Sequence, residues 1–249
     1  MRDLTEKIGK DLSFVSVEAY NLLRTNLSFM IPGKDGCRII GVTSTSPREG
    51  KSYTAINLAC SVAWSGKKVL LIDADMRKPT IHKVLNINAK PGLSTAITDV
   101  DETCVQRYFP EENMDVLSAG EIPPNPSELI GSENMNKLLE KLAKNYDTII
   151  LDLPPIGVVS DGLSVSPYLD GMVVVVRHSV TRRSDVADTM RQLKLSNVNI
   201  LGFVYNAFSE RGDSYYKYKY RRGSYSRRKY YYEKNYYQAA DKEETEEQK

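Results

Sequence analysis

The chain has 249 residues and a formal net charge of +2, with 41% hydrophobic and 27% charged residues. That balance suits one α/β domain of roughly 200 residues carrying an appendage. No run approaches the roughly 18 apolar residues of a membrane span, and the first seven residues are too polar for a signal peptide. The chain is therefore expected in the cytoplasm, reaching a membrane only through a partner. Three cysteines (Cys37, Cys60 and Cys104) are odd in number and lack metal-type spacing, which predicts buried thiols in a reducing compartment.

In chain order, residues 14–30 keep mostly helical spacing through Phe14, Val17, Leu22, Leu23, Leu27 and Met30, with Ser13 or Ser16 as cap. Pro32 to Gly36 breaks that pattern. An apolar strand at 39–43 leads into Ser44-Thr45-Ser46-Pro47-Arg48-Glu49-Gly50-Lys51-Ser52-Tyr53, after which a helix runs to about Ser65 and stops at Gly66. Val69-Leu70-Leu71-Ile72 is a strand with no polar alternation, the mark of a parallel sheet covered on both faces. It ends in Asp73-Ala74-Asp75. A short helix is expected at 91–97, a strand at 114–118, and a helix from about Ser127, its cap, to Asn145. Further strands are expected at 147–152, 173–176 and 200–204, with a helix at 184–195 before the last. The predicted fold is α/β: a doubly wound, mostly parallel sheet with helices on both faces. It occupies residues 1–208. From Ser209 the composition changes, and ten tyrosines alternate with Arg, Lys and Ser without periodicity, predicting a mobile tail over 209–249. Between Arg211 and Lys234 nine Lys/Arg stand against Asp213 and Glu233, so the charge that seeks a partner sits in this tail.

Strand, loop, then Gly-Lys-Ser opening a helix is the context of a phosphate-binding loop. Free N–H groups of the loop and helix start converge on phosphate, the Lys51 ammonium neutralises charge, and the Ser52 hydroxyl can ligate Mg²⁺. Thr45 stands where the consensus has Gly, and Pro47 has no N–H to offer, so phosphate binding is expected to rest on residues 48–53. Asp73, Asp75 and Asp152 all fall at strand ends, where ligands of open α/β sheets bind and where a hard cation finds oxygen. A loop lysine facing solvent packs little, so Lys51→Met is expected to leave the fold intact.

The loop, the segment from Val69 to Pro79, and Ile149-Ile150-Leu151-Asp152-Leu153-Pro154-Pro155 together resemble the Walker A, A′ and B motifs of the bacterial tyrosine autokinases of capsule and exopolysaccharide synthesis. Gly120 to Leu129 is similar to another segment of that family, and the Tyr-rich end resembles its autophosphorylation cluster. The resemblance implies a protein-tyrosine kinase using ATP and Mg²⁺. Arg48, Glu49, Gly50, Lys51, Ser52 and Tyr53 would hold the nucleotide, with Asn206 near the adenine. Ser52, Asp75 and Asp152 would order the metal. Lys51, Asp73 and Asp75 would be catalytic, with Asp73 taking or orienting the tyrosine proton and Asp75 the alternative. Tyr215, Tyr216, Tyr218, Tyr220, Tyr225, Tyr230, Tyr231, Tyr232, Tyr236 and Tyr237 would be acceptors. Glu18 and Arg24 resemble the family's oligomerisation helix, although Asn21 replaces its first Arg. The implied partners are a membrane polysaccharide co-polymerase that activates the kinase, further copies in a ring, and a cognate phosphotyrosine phosphatase.

Two other readings compete. A partition- or septum-type ATPase shares the fold, but it carries a signature Lys where this chain has Ser46, and it lacks a tyrosine cluster. A basic aromatic tail could contact nucleic acid or an anionic surface. Tyrosine exceeds what stacking needs, so no nucleic acid is expected.

Overall fold

The computed structural model describes residues 8–31, 36–108 and 111–207. The expected tail, 209–249, with all ten of its tyrosines, lies outside the described residues. The described chain forms β1 (Arg38–Ser44), β2 (Val69–Asp73), β3 (Gln106–Arg107), β4 (Met114–Leu117), β5 (Thr148–Asp152), β6 (Gly171–Arg177) and β7 (Ile200–Asn206). The helices are α1 (Phe14–Met30), α2 (Lys51–Trp64), α3 (Ile81–Leu85), α4 (Leu93–Asp99), α5 (Pro126–Ile130), α6 (Glu133–Leu142), α7 (Asp161–Val165) and α8 (Arg183–Leu195).

The strands make one sheet in the order β3-β4-β2-β5-β1-β6-β7. Every pair is parallel except the edge pair β3–β4, which is antiparallel. The continuous apolar runs explain this arrangement. In β2, Val69 and Leu71 pack on one face with Ile40, Val42 and Ile150, while Leu70 and Ile72 pack on the other with Ile39, Ile149 and Leu151. Residues of α1, α2 and α3 close the first face, and residues of α4 to α8 close the second. Ala55, Ala59 and Ala63 are buried at i, i+4 spacing, and Ile56, Leu58 and Val62 of the same helix pack in the cluster with the first face of the sheet.

The chain leaves β1 for β2 on one side and leaves β5 for β6 on the other, so the order reverses beside β1. Such a reversal opens a crevice at the carboxyl ends of the strands, and the 44–53 loop and the strand-end aspartates all fall there.

Two sequence expectations change. The helix expected over 127–145 is two helices, because Gly131 and Ser132 interrupt it and Ser132 caps α6 by accepting from Met135 N. Ser127 is therefore no cap, and its hydroxyl bonds Asp161 instead. The short elements β3, α3 and α7 had no periodicity long enough to read. On α1, Ser13 is the cap, accepting from Ser16 N at 3.3 Å. Cys37, Cys60 and Cys104 are buried, as expected. No helix among the described residues is long and apolar enough to cross a membrane.

Candidate active site

The loop after β1 is shaped from within by its own Glu49. This side chain is fully buried, and its carboxylate accepts from Thr45 N at 2.9 Å and Ser46 N at 3.0 Å. The hydroxyls of Thr45 and Thr181 donate to the same group. The backbone then passes through the left-handed region at Arg48 (φ 66°) and Gly50 (φ 92°), the kind of turn that gathers N–H groups into an anion-binding concavity. Gly50 also has no room for a side chain, since a Cβ would lie 2.0 Å from Asn206 Nδ2. Asn206 donates from Nδ2 to Glu49 O at 2.9 Å, and Arg177 donates to Arg48 O at 2.9 Å. Ser46, at the position of the partition ATPases' signature Lys, is folded into the loop, its carbonyl accepting from Ser44 Oγ.

Lys51 opens α2 and is not solvent-facing. Its Nζ lies 2.9 Å from Asp75 Oδ2, 3.2 Å from Asp152 Oδ1 and 3.4 Å from Ser52 Oγ. Burial pulls its pKa down, but Asp152 and Asp75 outweigh burial and raise it. Asp73 and Asp152 are register partners on neighbouring strands, and both are fully buried. Asp73 Oδ2 accepts from Thr80 N and Ile81 N, each at 3.0 Å. Burial, with the charge of Asp152 beside it, pushes the Asp73 carboxyl up to about 7. Burial likewise raises Asp152, against the pull of Lys51 and Ser52.

The donor set fits a phosphate-borne divalent cation. Among the described residues, Asp73 Oδ1 and Asp152 Oδ2 are buried with no hydrogen-bond partner, two hard oxygens beyond those that the backbone and Lys51 already engage. No group of three or more His, Cys, Asp or Glu side chains among the described residues could hold a metal alone. Ser52 and the phosphates would have to complete such a shell.

The sequence-predicted residues thus divide. Gly50, Lys51, Ser52, Asp73, Asp75 and Asp152 come together at the strand ends. Tyr53 is half-buried on the first turn of α2, and Arg48 is exposed on the loop. The side chains of Glu49 and Asn206 brace the loop from inside and behind. Far from this site, Arg24 donates to Ser61 O on α2 at 2.6 Å, and Ser61 donates to Asn21, which itself donates to the exposed Glu18. Asn21 is therefore a bridge between α1 and α2 as well as a missing arginine. A cavity of about 220 Å³ lined by Arg24, Arg38 and Lys67 above Leu27, Leu58 and Ile150 lies at the opposite end of the strands, so it is no part of the phosphate site.

Sequence reasoning missed a second cluster. Arg77, just past Asp75, grips Asp161 through Nε (2.7 Å) and Nη2 (3.0 Å), and Ser127 donates to the same carboxylate. Burial pushes Asp161 up, but Arg77 and Ser127 prevail and hold it below the ordinary carboxylate range. The cluster ties the Asp73–Asp75 segment to α5 and α7. Arg77 belonged to a motif already singled out, yet nothing in the sequence pointed to Asp161 as its partner.

Residues 37–221 match the ParA family, described as a NUBPL iron-transfer P-loop NTPase. Tyrosine-protein kinase YwqD of Bacillus subtilis (strain 168) is 38% identical over 191 residues, which is 76% of this chain and 80% of that one. Tyrosine-protein kinase etk of Escherichia coli (strain K12) is 34% identical over 204 residues, 82% of this chain but only 28% of its own length. The solved kinase domain of Escherichia coli tyrosine kinase ETK matches with a TM-score of 0.75, covering 80% of this chain and 78% of that one. The septum site-determining protein MinD of Pyrococcus horikoshii OT3, solved with Mg-ADP, is 23% identical with a TM-score of 0.57, covers 70% of this chain and 73% of its own, and shares the fold alone. The loop, the strand-end aspartates and these relatives agree: the chain belongs to the bacterial tyrosine-protein kinases, built on the ParA-type P-loop frame.

Proposed function

We propose that this kinase transfers the terminal phosphoryl group of ATP to tyrosine hydroxyls of its own C-terminal cluster, Tyr215 to Tyr237. The observation that carries the proposal is the Lys51 ammonium, bracketed by Asp75 and Asp152 at the start of α2. A cation so placed can turn to a phosphate oxygen with little travel. The N–H groups at the start of α2, which have no intrahelical partner, add further positive potential. Mg²⁺, held by Ser52, Asp75 and Asp152, partly through water, would neutralise charge on the phosphates. Asp73 orients the acceptor tyrosine and takes its proton as the new O–P bond forms and ADP leaves. A carboxylate near 7 is a competent acceptor for a phenol near 10 only late in the transfer, which suits a reaction governed by positioning and charge.

The domain division at 208/209, the use of a neighbour's active site by the tail, and the ring of copies belong to the same proposal. So do a membrane co-polymerase as activator, an opposing phosphatase and a role in capsule or exopolysaccharide export. The exposed face of α1 supports self-association: Val15, Leu22 and Phe29, seven residues apart, are 74%, 62% and 76% exposed. Each phosphotyrosine adds about −1.5 to −2 charges, so a few of them offset the basic tail and would expel it from an acidic site. Phosphosite mapping after incubation with ATP and Mg²⁺, with the activator's cytoplasmic segment supplied, tests the reading. Phosphate confined to residues outside Tyr215 to Tyr237 would overturn it. Mixing a Lys51→Met subunit with one lacking the tail should label the tail in trans, whereas a strictly intramolecular reaction gives no label.

A further inference from the structure

We infer that Glu49 and Thr181 form an internal brace that sets the shape of the phosphate loop, so that both act as positioning residues for nucleotide. The inference rests on the reading of the loop as the nucleotide cradle and says how a loop without the usual glycines keeps its form. Four donors converge on one buried carboxylate: the N–H groups of Thr45 and Ser46 and the hydroxyls of Thr45 and Thr181. A carboxylate has about four acceptor sites, so this one is saturated from within the chain and is not a phosphate ligand. The two N–H groups it holds are equally unavailable to phosphate. The cradle therefore begins after Pro47, at the left-handed Arg48.

Thr181 makes the brace more than a local turn. It lies between β6 and α8, 132 residues from Glu49, and its hydroxyl also accepts from Arg177 N at 2.7 Å. Arg177 in turn holds Arg48 O. The loop is thus pinned from the β6 side through both its side chain and its backbone. In a glycine-rich loop, backbone freedom permits the cradle and the bound phosphate orders it. Here an internal anion does the ordering before any phosphate arrives.

The brace is tested in the full chain with Glu49→Ala, Glu49→Gln, Thr181→Val and Thr181→Ser. A glutamine keeps an oxygen for the two N–H groups, and its NH₂ can donate to hydroxyls free to rotate, so it restores the shape without the charge. Two readouts are taken: amide exchange across residues 44–48 without nucleotide, and KM against kcat for ATP in tail phosphorylation. Glu49→Ala should speed exchange at Thr45 and Ser46 at least tenfold and raise the KM for ATP about tenfold, with kcat changed less than threefold. Glu49→Gln and Thr181→Ser should recover most of both effects, and Thr181→Val should show a weaker version of the alanine defect. Equal KM defects in the glutamine and alanine variants would overturn the proposal, because charge and not shape would then be at work. Faster exchange with an unchanged KM would also overturn it. A wild-type chain that binds no ATP refutes the proposed function instead, and the exchange readout still judges the brace.

Discussion

Lys51→Met is the standard way to silence a phosphate loop, and here it should also weaken the fold. Read from the sequence, Lys51 was a loop lysine of little structural weight. The structure puts it inside a carboxylate cluster, its side chain 11% exposed, with partners 6% (Asp75) and 0% (Asp152) exposed. Removing one partner of a buried pair costs about 3–5 kcal/mol, because the remaining charge loses its compensation. The opening of the site toward solvent reduces this to roughly 2–3 kcal/mol at pH 8. The loss must depend on pH with a definite sign. Asp73 and Asp152 are already held above their ordinary range by burial, and without the ammonium they rise further. The penalty of a carboxylate raised in the folded state builds from the unfolded value near 3.9 up to the folded one; for Asp73 the wild type already carries it up to about 7, so the added defect is small near pH 5 and grows as pH rises through 7. Urea unfolding of both proteins from pH 5 to 8.5, in chelator and without nucleotide, reads this directly. A variant within about 0.5 kcal/mol of wild type at pH 8 would refute the reasoning, as would a defect that shrinks with rising pH.

Other expectations follow from the same geometry. Asp73→Asn keeps an acceptor for Thr80 and Ile81 and removes the ionisation, so it should abolish phosphorylation while stabilising the unliganded fold by roughly 1–3 kcal/mol at pH 8 and by about a third as much at pH 5, as urea midpoints would show. Asn206→Ala removes the clamp on Glu49 O and should weaken ATP binding several-fold in calorimetry with a change in stability near 1 kcal/mol. Asp161 is held low, so its ion pair contributes stability that is present above the unfolded value near 3.9 and is lost as pH falls through the still lower folded value. Arg77→Ala should remove that acid-side dependence and cost about 1 kcal/mol at pH 7, measured by urea titration. Leu22→Asp on α1 should shift the assembled protein toward monomer in sedimentation without altering nucleotide affinity.

Much of this site was legible because its parts are signalled locally. A strand buried on both faces leaves an unbroken apolar run, and a strand-end aspartate is then conspicuous, as at Ile72-Asp73 and Leu151-Asp152. The Gly-Lys-Ser start of α2 is equally local. What escaped depends on contacts between distant segments. Arg77 meets Asp161 across 84 residues, and Ser127 meets the same carboxylate across 34. Neither separation leaves a periodic trace. Glu49 was expected to face nucleotide because its neighbours do, yet a loop that folds around its own side chain turns that carboxylate inward. The break at Gly131 and Ser132 was hidden by apolar residues that continue at helical spacing on both sides of it.

The arrangement of charge also says what this site will accept. Three carboxylates (Asp73, Asp75 and Asp152) surround one ammonium, and Glu49 adds a fourth acid within the loop, held by uncharged donors. A bare nucleotide triphosphate entering such a cluster would set anion against anion with little water to screen them. Nucleotide is therefore expected to bind together with a divalent cation, whose charge would favour release of the proton that burial holds on Asp73. In the role proposed for Asp73, the same loss would make it a base only once the phosphoryl donor is in place. An enzyme whose acceptors lie on its own chain has a use for that order, since a tyrosine reaching the site early meets a carboxyl group that is still largely protonated below pH 7.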